Sequence, residues 1–146
     1  MSVVVHKQPG PIRQIMAMIY DFLLLLSALL FAAIIPVALN GGEAITPGNV
    51  FFLLYLLSVC FLFYGWFWTH GGQTLGMRAW KIKLISSTSP TISWKQAAVR
   101  FIFGLISWLC LGLGFWWQWL SKNKQSWYNQ AAKTQLVFFQ RITYLT

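Results

Sequence analysis

Acidic residues are almost missing from this chain: it has two among 146, Asp21 and Glu43, against eleven lysines and arginines. Charged residues of both signs make up 9% of it, well below the ~25% of an ordinary soluble domain. A soluble exterior is therefore excluded as the general plan. Cysteine is scarce too. Cys60 and Cys110 both lie in apolar runs, without C-x-x-C spacing or a neighbouring histidine, which excludes a thiol-redox motif and a Cys/His zinc site. They read as small buried hydrophobes. There is no G-x-S-x-G, no pair of carboxylates and no H-E-x-x-H, and His6 and His70 stand alone. No catalytic residue, metal or cofactor is expected, and the protein is not expected to be an enzyme.

What is present in excess is uncharged length. Residues 22–39, 50–69 and 101–120 carry no Asp, Glu, Lys or Arg, and 58% of the chain is hydrophobic. A bilayer core of roughly 30 Å needs about 20 apolar residues in a helix, so each run is long enough to cross. The first extends back to Ile15 and then contains one charge, Asp21. A carboxylate at that depth costs on the order of 2.5–3.5 kcal/mol even on lenient insertion scales, so it must be paired or used. The run is too long for a signal-peptide core, and no small-x-small cleavage site follows it, so it is expected to be retained.

The basic residues flank the runs, and the loop at 40–49 has none of them. Positive residues stay on the cytoplasmic side during insertion. The N-terminus with Lys7 and Arg13 is thus expected in the cytoplasm, the loop outside, and residues 70–100 back in the cytoplasm. On a soluble chain a formal charge of +9 would suggest nucleic acid; distributed this way it does not. The cytoplasmic basic residues read as topology determinants that also touch anionic lipid headgroups, each contact worth ~1 kcal/mol.

The expected fold is an all-α membrane protein: one domain over residues 1–146, with spans at about 12–39 and 50–69. A third hydrophobic segment, at about 97–120, is either re-entrant, interfacial or spanning. Crossing once would leave Lys122, Lys124, Lys133 and Arg141 outside, so the charge bias favours a dip and return, with Gly104, Gly112 and Gly114 as places to break. A small cytoplasmic β element completes it. Residues 80–85 (WKIKLI) alternate apolar and basic with the period of a strand, and 134–139 (TQLVFF) could pair with them. An in-plane amphipathic helix over 75–85 is the alternative. Residues 1–10 read as a short tail, and Pro11 suits the first turn of a helix.

Arg13 lies eight residues before Asp21, which is about 12 Å of helix and roughly 80° away from alignment. Direct pairing needs extended side chains; a group from the third segment or from residues 122–134 is the alternative partner. The glycine-rich GGQTLG (71–76) lacks P-loop spacing and its lysine, and reads as a turn out of a helix.

Taken in order, Arg13, Ala17-x-x-x-Asp21, Gly72-Gln-Thr74-Leu-Gly76 with Arg78, ISWKQAAVR (92–100) and QSWYNQAAKT (125–134) resemble the RDD family of bacterial membrane proteins. That resemblance covers nearly the whole chain and implies a multi-pass protein of the inner membrane. It implies a role in transport of undefined ligands, with cation/proton antiport for some members. The family is named for one Arg and two Asp; Arg13 and Asp21 match, but the last motif, usually W-x-D-R-x-A-x-T, here has Asn129 in place of the second aspartate. Asn129 hydrogen-bonds but cannot titrate, so a two-carboxylate relay is weakened. The ligand, ion or polar-knot candidates are then Asp21, Arg13 and Asn129, with Gly72, Thr74, Gly76 and Arg78 forming the motif turn. Two spans enclose no pathway alone, so a homo-oligomer or a membrane partner is expected. The competing expectation is a non-catalytic scaffold or accessory subunit of an inner-membrane complex.

Overall fold

The computed structural model describes residues 2–143, with side chains described over residues 7–138. Two helices dominate it: α1 (Pro11–Leu39) and α2 (Val50–Thr69), with β1 (Ser2–Lys7) preceding α1. Pro11 sits in the first turn of α1, where its missing N–H costs nothing and its fixed φ fits the helix. Twenty-nine residues make a rod of about 44 Å, longer than the bilayer core, so its first turns can stand clear of the hydrocarbon. The Asn49 side chain starts α2 by accepting from the Phe52 amide at 3.1 Å. Tyr55 ties the pair together by donating to the Ala32 carbonyl at 2.9 Å.

Both helices are long and apolar enough to cross a membrane, and 6% of the most apolar window of each is buried within the chain. Phe31, Ile35, Phe51 and Leu54 all lie more than half exposed. Continuous apolar surface of that kind is unfavourable in water but not in hydrocarbon.

After α2 the chain forms α3 (Leu75–Ala79), β2 (Ile82–Ser86), α4 (Trp94–Leu109), α5 (Leu113–Leu120), α6 (Trp127–Ala131) and β3 (Thr134–Thr143). The expected pairing forms: β2 runs antiparallel to β3, with Ile82 opposite Phe138 and Ser86 opposite Thr134. Ile82 and Leu84 turn inward at 1% exposure while Lys83 faces out, which is the two-residue period of a half-buried strand. Trp80 and Lys81 lie outside the strand, because α3 occupies 75–79 and Lys81 makes the turn with φ +55°. The chain from 75 to 85 is therefore part helix and part strand.

The sheet is larger than the sequence suggested. β1 pairs antiparallel with the far half of β3, Ser2 opposite Thr143 and Lys7 opposite Phe138, giving the order β1-β3-β2. Residues 2–7 are a strand and not a loose tail. SVVVHK is rich in β-branched residues, and a ten-residue β3 offers an edge beyond the reach of β2.

The third hydrophobic segment is not one straight rod. α4 and α5 meet at 96° across a break of a few residues. Leu111 and Gly112 make the corner with φ +56° and +77°, a left-handed conformation that glycine adopts without strain. Gly114 then lets α5 close on α4, since a Cβ there would stand 2.6 Å from the Ser107 hydroxyl. Gly104, also expected as a possible break, continues the helix. At its other end α4 begins with a reciprocal capping box between Ser93 and Gln96. It packs closely on α2, where Gly65 leaves no more than room for the Trp94 ring. A core of Ala17, Trp68, Met77, Ile82, Leu84 and Ala97 sits where sheet and helices meet.

Candidate functional site

Asp21 lies on the buried stripe of α1 with Gln14 and Ala17, three and four residues apart. It faces protein. Its Oδ2 accepts from the Thr74 hydroxyl, and its Oδ1 accepts from the Gly76 amide at 2.8 Å. Thr74 is also the N-cap of α3, its oxygen accepting from the Met77 amide at 3.2 Å. Gly76 lets α1 come this close, since a Cβ there would collide with the Ala17 carbonyl and lie 2.9 Å from the Asp21 carboxylate. Gly72, with φ +68°, passes against the Leu84 carbonyl and accepts from the Leu84 amide at 2.7 Å. Gln73 donates to the Ile82 carbonyl at 2.7 Å. The GQTLG stretch is thus a docking element between α1 and β2, not a loose turn or a phosphate cradle. Arg78 is exposed in the last turn of α3, where a cation favours the helix end.

Arg13 does not reach Asp21. It is exposed, with its guanidinium 4.2 Å from the Phe138 ring centroid on β3. Residues 122–134 do not supply Asp21's hydrogen bonds either; both come from the motif turn.

The second pole of the site is Arg100, which the sequence reading passed over. It is 6% exposed, on the face of α4 that also buries Ala97 and Ser107. Its Nη1 donates to Asn129 Oδ1 and, at 3.4 Å, to the Thr134 hydroxyl. The Trp68 and Tyr128 rings flank it at 5.0 and 4.8 Å, contacts of roughly 0.5–2 kcal/mol each. Its Nε has no partner among the described residues. Every hydrogen-bond acceptor it meets is neutral. WYNQAAKT thus converges on Arg100, and Asn129 serves the arginine and not Asp21. A clue was available: Arg100 is the last charge before the uncharged run at 101–120, within a motif already singled out.

Asp21 and Arg100 share one cavity of about 360 Å³, bounded by α1, α2 and α4, near the lower end of the ~300–1,000 Å³ typical of ligand pockets. Tyr64, Trp68, Thr74 and Tyr128 also line it, and most of its other lining residues are aliphatic or aromatic. Such a lining can hold a charged or dipolar group together with apolar matter.

The family model described as RDD family matches residues 8–133 of the chain. No curated protein and no solved structure matches it.

Proposed function

The chain belongs to the RDD family and is a membrane protein, and from that premise we propose that it is a component of transmembrane transport, holding an unidentified ligand or cation between α1, α2 and α4. The observation that carries this reading is the shared cavity with two buried charges of opposite sign. Buried charge without a charged partner is costly, and at membrane depth it marks a pathway or a binding site. The role is binding and translocation, without covalent chemistry.

The membrane is proposed to be the bacterial inner membrane, with the N-terminus in the cytoplasm. β1, β2 and β3 come from before α1, after α2 and after α5, so all three lie on one side, and the basic residues, absent from the loop at 40–49, assign that side to the cytoplasm. With α1 and α2 as two crossings, the bent α4–α5 pair then dips and returns. Two spans do not enclose a path, so a second copy or a membrane partner completes it, and exposed basic residues such as Lys83 rest on anionic headgroups.

Proteoliposomes loaded with a pH-sensitive dye and given Na⁺ or K⁺ gradients test the reading. Gly104 lines the cavity and has open space where a Cβ would stand. Gly104→Leu therefore narrows the chamber without breaking a hydrogen bond. Flux that wild type supports and Gly104→Leu abolishes is expected; a wild type silent for every ion would favour the scaffold role.

A further inference from the structure

Asp21 and Arg100 are the two charged walls of the chamber, at 5% and 6% exposure, and neither neutralises the other. Asp21 accepts from a hydroxyl and an amide; Arg100 donates to an amide oxygen and a hydroxyl. A carboxylate has about four lone-pair sites, so Asp21 retains capacity for a further donor. An anion bound alone would meet Arg100 and leave Asp21 uncompensated, and a lone cation would do the reverse. A group carrying both signs satisfies both walls.

The rest of the chamber selects what is attached to that group. Phe22, Leu25 and Leu57 face Phe101, Leu105 and Trp108 around it. α2 packs on both α1 and α4, whereas α1 and α4 make little direct contact. Phe22 is 53% and Trp108 71% exposed, so the chamber opens sideways between these helices, on a surface that in a bilayer meets acyl chains. A small polar zwitterion would leave that apolar wall unfilled.

We propose that the chamber takes a single-chain zwitterionic amphiphile, with its primary ammonium at Asp21, its phosphate at Arg100 and its acyl chain leaving between Phe22 and Trp108. This rests on the reading of the cavity as a ligand chamber. Arginine suits phosphate oxygens through its fixed fork of donors, and the modest volume accommodates one chain in preference to two.

The test is displacement of radiolabelled lysophosphatidylethanolamine from the full-length protein in nonionic detergent. The competitors are lysophosphatidylglycerol, which keeps phosphate and chain but lacks the ammonium, and free phosphoethanolamine, which keeps the head but lacks the chain. Lysophosphatidylglycerol should compete roughly tenfold more weakly than the unlabelled parent, a difference of about 1.4 kcal/mol, and phosphoethanolamine should not compete. Asp21→Asn should erase that preference, Arg100→Gln should weaken both lysolipids, and Gly104→Leu, which leaves every hydrogen bond intact, should abolish saturable binding. Equal or tighter binding of the anionic lysolipid, competition by the free head as strong as by the lipid, or saturable binding unchanged by Gly104→Leu would each overturn the proposal. Ion flux blocked by Gly104→Leu without lysolipid discrimination would sink this inference and leave the transport reading standing. Discrimination without flux of any probe would do the opposite.

Discussion

Gly76 serves Asp21 in two ways: its amide donates to Oδ1 at 2.8 Å, and its lack of a Cβ leaves the space the carboxylate fills. Gly76→Ala keeps the amide but puts a methyl 2.9 Å from the carboxylate and against the Ala17 carbonyl. Overpacking of this kind typically costs about 1–3 kcal/mol. Thermal unfolding in detergent should therefore shift downward for Gly76→Ala. Gly104→Ala, with open space around it, should be neutral or stabilising by up to about 1 kcal/mol, as expected for glycine replaced inside a helix. If both variants melt alike, close approach is not what Gly76 provides.

Thr74 makes the same junction from the other side, with one oxygen donating to Asp21 and accepting from Met77. Thr74→Ser retains both bonds. Thr74→Val retains the shape, removes both, and leaves buried polar groups unsatisfied, which costs about 1–3 kcal/mol each. Thermal melts should rank wild type and Thr74→Ser together and Thr74→Val well below. A Thr74→Val protein as stable as wild type would mean that Asp21 does not depend on this bond.

The two long helices and the β2–β3 pairing were legible in the sequence because they rest on local periodicity: uncharged runs for α1 and α2, apolar–basic alternation for β2. The break in the third segment was legible as a possibility, since glycines and misplaced lysines argued for it, but of the three glycines only Gly112 lies at the corner, where Leu111 joins it in a left-handed conformation. β1 was missed because its partner lies well over a hundred residues away and nothing local marks its pairing. The site failed in the same manner. Asp21 was visible as a lone charge in an apolar run, whereas its partners come from residues 74 and 76, distant in sequence. Arg100 looked like one more flanking cation until α6 closed over it. Helix spacing already argued against Arg13 as partner, but it pointed to the third segment or residues 122–134 in its place, whereas across-chain packing brought in Thr74 and Gly76.

Orientation is open to direct labelling. With Cys60 and Cys110 replaced by alanine, single cysteines at Ser2→Cys, Ile45→Cys, Ser87→Cys and Thr143→Cys report the side of the membrane. Residues 2, 87 and 143 belong to, or directly adjoin, one three-stranded sheet, so they should react with an impermeant maleimide only after permeabilisation of cells, while position 45 reacts in intact cells. Labelling of 143 together with 45 would mean that α4–α5 crosses the bilayer and the sheet does not form as described.

Asn129→Asp tests how Arg100 is held. The guanidinium stays protonated at any physiological pH, is 6% exposed, and meets neutral acceptors in Asn129 and Thr134. A buried cation without an opposite charge is expensive, and a hydrogen bond gains strength when both partners are ionised. Aspartate at 129 has nearly the shape of asparagine and places its oxygen where Arg100 already donates. The variant should unfold at higher temperature, by the equivalent of about 1–3 kcal/mol. Asn129→Leu should fall below wild type, because it removes the acceptor and leaves the arginine with Thr134 and two aromatic rings. In the double variant Arg100→Gln, Asn129→Asp the gain should vanish and turn into a loss, since the new carboxylate would then be the unpaired charge. A stabilisation that survives Arg100→Gln would show that residue 129 acts through some other neighbour.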